Sequence, residues 1–234
     1  IIGITVLGLG LAAGVILGKF RQIFRQGAAA EEAPHQVRIT NITDTSFTAS
    51  WITDKETLGF IKFGESQSSL STTEEDEIGG ESFTHTVSVR GLSPETSYFF
   101  KINSGGLDFD NNGIAWEIKT GPEIPGSSET TIISGTVLKT GGDPSTNSLV
   151  YISVGGSPIS TTTSQNGSWV IQLSAAREGY LSSYLSIDES DTLVEISVQA
   201  CPDGVASAQI YPASAKPVPP IILGQIHDFK NLPP

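Results

Sequence analysis

Hydrophobic residues follow two different patterns along this 234-residue chain. Residues 1–18 form one continuous apolar run that carries no charge, with Thr5 as its single hydroxyl. From about residue 34 onward, apolar and polar residues alternate in short runs separated by glycine, proline, asparagine and serine. A continuous apolar run predicts a helix for lipid or a helix bundle, and short alternating runs predict β-strands. The chain is therefore predicted to be mainly β, with an N-terminal hydrophobic α-helix followed by two tandem β-sandwiches.

The N-terminal run has the length of a membrane helix. As a helix it would extend about 27 Å, close to the hydrocarbon thickness of a bilayer. Gly10, Gly14 and Gly18 recur every four residues, so they lie on one helical face, where small residues allow close packing. Glycine is also simply common in membrane helices, which is the alternative explanation. We expect these glycines to form a helix-packing and assembly surface, within a helix and stalk that cover residues 1–33.

Basic residues follow the apolar run directly. Lys19, Arg21 and Arg25 are predicted to flank the membrane, and the positive-inside rule would then hold the following domains in the cytoplasm. This conflict disappears if a basic leader once preceded Ile1 and was removed, which resembles the processing of type IV pilin-like subunits. Bacterial pilins usually carry glutamate at position five, so Thr5 makes the run more similar to archaeal-type pilins. A late start of the sequence and a plain single-pass anchor are the alternatives.

Residues 34–121 predict the first globular domain. Their alternation indicates about seven short strands, as in a β-sandwich. Trp51 stands where fibronectin type III domains keep a core tryptophan, and Leu92, Pro94 and Tyr98 belong to an L-x-P-x-T-x-Y sequence. The region resembles the fibronectin type III family, in the subtype found beside phosphatase domains and in bacterial surface proteins. The resemblance implies that the Tyr98 hydroxyl anchors a corner to the backbone, and it implies no activity, because this fold hosts many functions.

Two acidic stretches in this domain are candidate sites. Asp108, Asp110 and Asn112 match the first half of an EF-hand calcium loop and are a calcium candidate. Lys119 occupies the position where a bidentate glutamate is required, so a hairpin turn is the preferred interpretation and no metal site is expected. The acidic run at residues 74–77 predicts a solvated loop.

A linker at residues 122–128 is rich in proline, glycine and serine and separates a second domain at residues 129–229 from the first. This second domain resembles the carboxypeptidase-regulatory-like (transthyretin-like) β-sandwich family, which implies an accessory, structural module. Residues 221–223 are expected to close its sheet, with pairing to a neighbouring subunit as the alternative, and residues 230–234 form a tail. The matching residues are Gly135–Val137, Gly142–Pro144, Val150–Ile152, Thr162, Thr163 and Asn166–Val170.

Composition excludes several classes of function. A net charge of -12 argues against nucleic-acid binding, which needs clustered lysine and arginine. Cys201 is the single cysteine, so no intrachain disulfide or cysteine-rich metal site can form, and we expect an inert thiol. His35, His85 and His227 lack metal-ligand spacing. No nucleophile is paired with a base in sequence, so we expect no enzyme, no catalytic residues and no cofactor.

The combination of parts resembles single-pass surface proteins of reduced-genome bacteria. We expect a non-enzymatic cell-surface structural protein, a self-assembling subunit of a pilus-like filament or surface array packed through its helix. The alternative is a single-pass, membrane-anchored adhesin or display protein that acts without polymerising. The predicted partners are copies of the chain and the membrane, with other surface proteins or environmental ligands as further candidates. The predicted location is the cell surface or exterior, membrane-anchored at least before assembly.

Overall fold

The computed structural model describes residues 30–126 and 130–233, which are mainly β. Within these ranges, eight strands precede the linker and eight follow it, and each sheet takes its strands from one side only. The described part therefore consists of two tandem sandwiches of immunoglobulin-like or fibronectin type III-like kind. Its helices are one-turn 3-10 helices at Ala30–Glu32, Leu173–Ala175 and Pro212–Ser214.

The predicted N-terminal helix lies outside the described residues. The predicted positions that fall there are Gly10, Gly14, Gly18, Lys19, Arg21 and Arg25. No helix in the part of the chain that the structure describes is long and apolar enough to cross a membrane.

The first sandwich stacks two antiparallel sheets, ordered β1-β2-β5 and β4-β3-β6-β7, with β8 also paired to β6. Alternation along β2 sends Phe47, Ala49 and Trp51 inward and Thr48 and Ser50 outward, since successive side chains of a strand point to opposite faces. The strands are β1 His35–Thr40, β2 Ser46–Thr57, β3 Gly59–Gly64, β4 Thr72–Glu75, β5 Ser82–Arg90, β6 Ser97–Ser104, β7 Leu107–Phe109 and β8 Trp116–Lys119.

Aromatic rings fill the core of this sandwich. Trp51 and Phe47 are completely buried, and the Phe47 ring lies 5.6 Å from the ring of Phe100. Trp116 stacks on the other side of Phe100 at 5.5 Å. Each buried ring contributes about 2–3 kcal/mol through removal of apolar surface from water, so this cluster fixes how the two sheets face each other.

The acidic run forms only in part the solvated loop that the sequence predicts, since Glu75 and Glu77 are exposed. Glu74 and Glu75 end strand β4, which pairs with β3. Asp76 is buried, because its carboxylate accepts hydrogen bonds from the backbone N–H groups of Ile78 and Thr86. Only the Asp76 side chain, which is 4% exposed, is thus withdrawn from water.

The second sandwich has sheets ordered β11-β10-β13-β14-β16 and β12-β9-β15. Strand β15 pairs in parallel with β9, and both Ile221 and Leu223 are buried, which confirms that residues 221–223 close the sheet of their own domain. The strands are β9 Ile132–Leu138, β10 Leu149–Ser153, β11 Ile159–Thr162, β12 Ser168–Gln172, β13 Val194–Ala200, β14 Gly204–Ile210, β15 Ile221–Ile222 and β16 Ile226–Asp228.

The core of the second sandwich is mostly aliphatic. Its buried members are largely valine, isoleucine, leucine and alanine, and Trp169 is the large aromatic exception. A side chain at Gly135 would collide with the Trp169 ring, which lies across the opposite strand position. Glycine is therefore required here to make room for the indole.

Candidate functional site

The two sandwiches meet along a polar interface, which we call the joint. The outer face of β1, β2 and β5 packs against the outer face of β10 and β13 and against the edge of β11. The outward hydroxyl groups on this side of the first sandwich are buried, with Thr40 and Ser50 each only 1% exposed. The other buried hydroxyl residues on this face are Thr48, Thr84 and Thr86. An outer sheet face with this degree of burial is a protein contact and not a solvated surface.

Asn41 binds the edge of strand β11. Its backbone N–H donates to Pro158 O at 3.0 Å and its Nδ2 donates to Ser160 O at 3.1 Å. In return, Ser160 N–H donates to Asn41 Oδ1 at 2.9 Å. Asn41 has a φ of 52°, a left-handed conformation that asparagine tolerates better than most residues. One residue of the first sandwich thus supplies hydrogen-bond partners to the backbone of an edge strand in the second.

Tyr151 is the central side chain of the joint. Its hydroxyl lies 2.9 Å from Ser50 Oγ, in a fully buried hydrogen bond, and the Arg38 guanidinium stacks 4.1 Å from the ring centre. Arg38 also donates to Ser197 Oγ at 3.1 Å. Burial raises the pKa of Tyr151 above its ordinary value, although the Ser50 hydrogen bond and Arg38 oppose that change. The phenol therefore stays neutral and acts as a hydrogen-bonding group.

Arg177 ties the second sandwich to the first and to the linker. Its side chain is 3% exposed and donates from Nη2 to Asp44 Oδ1 at 2.6 Å. Nη1 donates to the backbone oxygen of Pro122 at 2.9 Å. A side chain at Gly121 would collide with Nη1 and with Leu181, so the linker passes closely over this arginine. Arg177 thus connects the second sandwich both to Asp44 of the first sandwich and to the start of the linker.

Cys201 lies at one end of the joint. Its Sγ lies 3.4 Å from the backbone oxygen of Thr53 in the first sandwich. Burial raises the pKa of the thiol, and the nearby carboxylates of Asp54 and Asp203 raise it further. The thiol is therefore a poor nucleophile, because the reactive species is the thiolate.

The first sandwich contains a second polar cluster with the composition of a catalytic triad. His85 Nδ1 lies 2.7 Å from Asp76 Oδ2, and Nε2 lies 3.2 Å from Thr57 Oγ1. The His85 ring stacks on Trp51 with the ring centres 4.9 Å apart. The histidine is fully buried and the threonine is 3% exposed, so no substrate can reach either group. The cluster is structural, since it satisfies a buried imidazole and carboxylate.

The residues of the fibronectin-like pattern lie in the first sandwich and not in the joint. Trp51, Leu92 and Tyr98 are buried, and Pro94 lies in the turn before β6. Tyr98 accepts a hydrogen bond on its hydroxyl from Ser93 N–H at 2.9 Å. This is the corner anchoring that the resemblance leads one to expect.

The calcium candidate residues form ion pairs and a turn. Asp108 binds Lys62 at 2.7 Å and Asp110 binds Lys101 at 3.1 Å, while Asn112 has a φ of 56° in the turn that follows β7. Burial opposes ionisation of Asp108, but hydrogen bonds from Lys62 and Asn103 outweigh it and hold its pKa below the ordinary value. Across the described ranges, no three histidine, cysteine or acidic residues are grouped as a metal site would require.

Sequence reasoning missed the joint and the buried triad-like cluster. Most joint residues of the first sandwich are serine and threonine at outward strand positions, and such residues are equally typical of a solvated sheet face. For the cluster a signal did exist: His85 alternates with Val87 and Val89, which puts the imidazole on the core face of β5. A buried imidazole needs a polar partner, and the acidic run nearby supplies it.

The family match concerns the first sandwich. The family described as "Purple acid Phosphatase, N-terminal domain" matches residues 34–116, which lie within the first sandwich. The N-terminal region is therefore similar to that fibronectin type III-like domain. No curated protein matches the chain.

Solved structures of low identity also align with the chain. A structure of PhoD aligns at 12% identity and a TM-score of 0.29, over 44% of this chain and 21% of that chain. Chicken CNTN1 domains FN1–FN3 align at 17% identity and a TM-score of 0.29, over 76% of this chain and 64% of that one. A chicken tenascin segment of two fibronectin type III domains aligns at 12% identity and a TM-score of 0.23, over 76% and 98%. The aligned part thus spans about a fifth of the PhoD chain and under two thirds of the CNTN1 chain.

Proposed function

We propose that this chain is a non-enzymatic structural protein of the cell surface, in which the two sandwiches act as one rigid unit carried by the N-terminal apolar helix. The observation that supports it best is the joint. Asn41, Tyr151 and Arg177 make cross-domain contacts that a flexible string of domains would not need. A rigid unit transmits position and force from its attachment point to its far end, which suits a repeated surface element.

The helix is proposed to hold copies of the chain together. Residues 1–18 would leave the lipid only if they entered an equally apolar environment. The helices of neighbouring copies would provide that environment. Gly10, Gly14 and Gly18 would allow the close backbone approach that such packing uses. The pilin-like character of this segment, the carboxypeptidase-regulatory-like character of the second sandwich and the surface location belong to the same proposal. A membrane-anchored adhesin or display protein, built from the same parts without polymerising, is the second candidate.

The non-enzymatic character is supported by the described side chains. In the catalytic-looking cluster, His85 and Thr57 are buried and the Asp76 side chain is only 4% exposed. The thiol of Cys201 has a raised pKa, and the hydroxyl groups of the joint are occupied by one another. None of these groups is both reactive and accessible.

Electron microscopy of material shed from producing cells without detergent tests the proposal. Regular filaments or sheets that contain the chain are expected, and Gly14→Leu should abolish them while the sandwiches stay folded. Gly8→Leu is the matched control, because in the proposed helix residue 8 would lie about 200° around the axis from residue 10 and so off the glycine row. Recovery of the chain only as single particles that require detergent would favour the anchored adhesin instead.

A further inference from the structure

Two asparagines in this chain stand in the N-x-S/T sequence that accepts N-linked sugars in exported proteins. One sequence occupies residues 41–43 and reads Asn-Ile-Thr, and the other occupies residues 166–168 and reads Asn-Gly-Ser. Proline at the middle position would prevent acceptance, and neither sequence contains it. Because a sugar is attached to the amide nitrogen of asparagine, the contacts of each side chain distinguish the two sites.

The amide of Asn41 is occupied by the joint. Its Nδ2 donates to Ser160 O at 3.1 Å and to Thr48 Oγ1 at 3.1 Å, and its Oδ1 accepts from Ser160 N–H at 2.9 Å. A sugar on this nitrogen would take the place of Ser160 and push the two sandwiches apart. The joint and a sugar on Asn41 therefore exclude each other.

Asn166 lies exposed in the turn between β11 and β12. Its Oδ1 accepts from Ser168 N–H at 3.1 Å and from Ser164 Oγ at 2.6 Å. A backbone N–H can only donate, so the atom facing Ser168 is the amide oxygen, and Nδ2 lies on the other side of the amide. Within the ranges that the structure describes, Nδ2 donates to no other residue. The turn thus holds the amide by its oxygen and leaves its nitrogen in the solvent.

The hydroxyl of the same acceptor sequence is also available. Ser168 begins β12, and because its neighbour Trp169 is buried, the Ser168 side chain lies on the outer face of the strand. In the described part of the chain, Ser168 hydrogen-bonds through its backbone alone. In the other sequence, the Thr43 hydroxyl lies 2.7 Å from Ser46 Oγ and accepts from Thr45 N–H. Only residues 166–168 therefore present both the amide nitrogen and the hydroxyl without a protein partner.

We propose that Asn166 is an N-glycosylation site and that Asn41 remains unmodified. The donor is a sugar that carries a phosphate leaving group on its C1 atom, and a separate transferase supplies the catalysis. A bond forms between Nδ2 and C1, the bond from C1 to the phosphate oxygen breaks, and the phosphate leaves with the electron pair. Nδ2 gives up one proton to a base of the transferase. The inference rests on the proposed surface location, because N-linked sugars are added to exported chains.

Peptide mass spectrometry of the full-length chain, purified from the cells that produce it, tests the inference. The peptide that contains Asn166 should be heavier than its sequence mass by whole sugar residues, and the peptide that contains Asn41 should have its sequence mass. Ser168→Ala should abolish the increase, because it removes the hydroxyl of the acceptor sequence and no hydrogen bond of the turn. Ser168→Thr should retain it. Gln165→Ala is the matched control, since residue 165 is exposed in the same turn but lies outside the acceptor sequence.

Asn166→Gln separates an N-linked sugar from one linked to a neighbouring hydroxyl. The variant keeps an amide but loses the acceptor asparagine, so the mass increase should disappear, whereas a sugar on Ser164 or Ser168 would remain. An unmodified Asn166 peptide, a mass increase that survives Asn166→Gln, or a sugar on Asn41 would each overturn the inference.

The surface location is measured separately, with an amine reagent that does not cross membranes and is added to intact cells. Lys55 and Lys216 are suitable targets, because their side chains are 56% and 50% exposed. A labelled chain with an unmodified Asn166 would refute this inference and leave the proposed function standing. A chain that is labelled only after the cells are broken would refute the proposed surface location itself.

Discussion

The first sandwich has two outer sheet faces, and they differ in chemistry. The face of β1, β2 and β5 carries uncharged hydroxyl residues such as Thr48 and Ser50, which are buried in the joint. The face of β3, β6 and β7 carries the ion pairs Lys62–Asp108 and Lys101–Asp110, which remain partly exposed to water. Both faces are polar, so polarity alone does not distinguish a contact surface from a solvated one.

The difference lies in the cost of removing each group from water. A hydroxyl can be buried if one hydrogen-bond partner is found, whereas an ion loses much more solvation free energy. The joint accordingly uses mostly hydroxyl, amide and phenol groups. Its two arginines are each partnered: Arg177 meets a carboxylate from Asp44, and Arg38 stacks on Tyr151 and donates to Ser197. The solvated face keeps its charges in contact with water, where exposed ion pairs contribute little to stability.

Ser50→Lys should have the largest effect, because it places an ammonium group against Tyr151 and beside Arg38 in the joint. We expect the joint to open, with a loss of more than about 3 kcal/mol of interface free energy. The matched control is Thr73→Lys, which adds the same charge beside Lys62 on the exposed face. Amide hydrogen exchange at Asn41 and Ser160 measures the opening. Equal protection in the two variants would show that the two faces do not differ.

Arg177→Ala should have the next largest effect. The change leaves the Asp44 carboxylate and the Pro122 carbonyl without their donor, which we expect to cost about 2 kcal/mol. Chemical denaturation gives the free energy of unfolding, with Arg90→Ala as control, because the Arg90–Glu77 pair is exposed. A loss no larger than that of the control would mean that Arg177 does not hold the domains together.

Tyr151→Phe removes only the hydroxyl and keeps the ring beneath Arg38. Because Ser50 then lacks its buried partner, we expect a loss of about 1 kcal/mol in the free energy of unfolding. Tyr180→Phe is the control for the same chemical change, since Tyr180 is 92% exposed and should change stability by less than about 0.3 kcal/mol. If both variants unfold like the parent, the Tyr151–Ser50 hydrogen bond contributes nothing.

Lys62→Met on the solvated face should have the smallest effect, at most about 0.5 kcal/mol near pH 7. Its pH dependence is more informative. The pKa of Asp108 is lowered in the folded chain, so its ion pair stabilises the fold above about pH 4, and that contribution is lost as pH falls through the lowered pKa. The stability difference between parent and variant should therefore shrink below about pH 4. A constant difference across this range would contradict the assigned pairing.

The sequence predicts the sandwiches far better than it predicts the joint. Alternation along β2 and the positions of Trp51 and Tyr98 are local signals, and both the strands and the corner hydrogen bond follow from them. Burial of Thr40 depends on a surface that is more than one hundred residues away in the chain, at Ser160. Nothing near either residue reveals that pairing. The burial of Asp76 is a different case, because its partners His85 and Thr86 are only 9 and 10 residues away in the chain, and the core-facing position of His85 was a signal for a buried acidic partner.

Amide hydrogen exchange of the unmodified full-length chain tests the central claim, that the two sandwiches form one rigid unit. Asn41 N–H donates to Pro158 O, and Ser160 N–H donates to Asn41 Oδ1, so both amides report directly on the joint. Asn41 Nδ2 also donates to Ser160 O, which makes three hydrogen bonds between these segments. At about 1 kcal/mol each, they predict protection of at least roughly a hundredfold over exposed loop amides. Exchange of both amides as fast as exposed loop amides, with the strand ladders of each sandwich still protected, would show that the domains move independently.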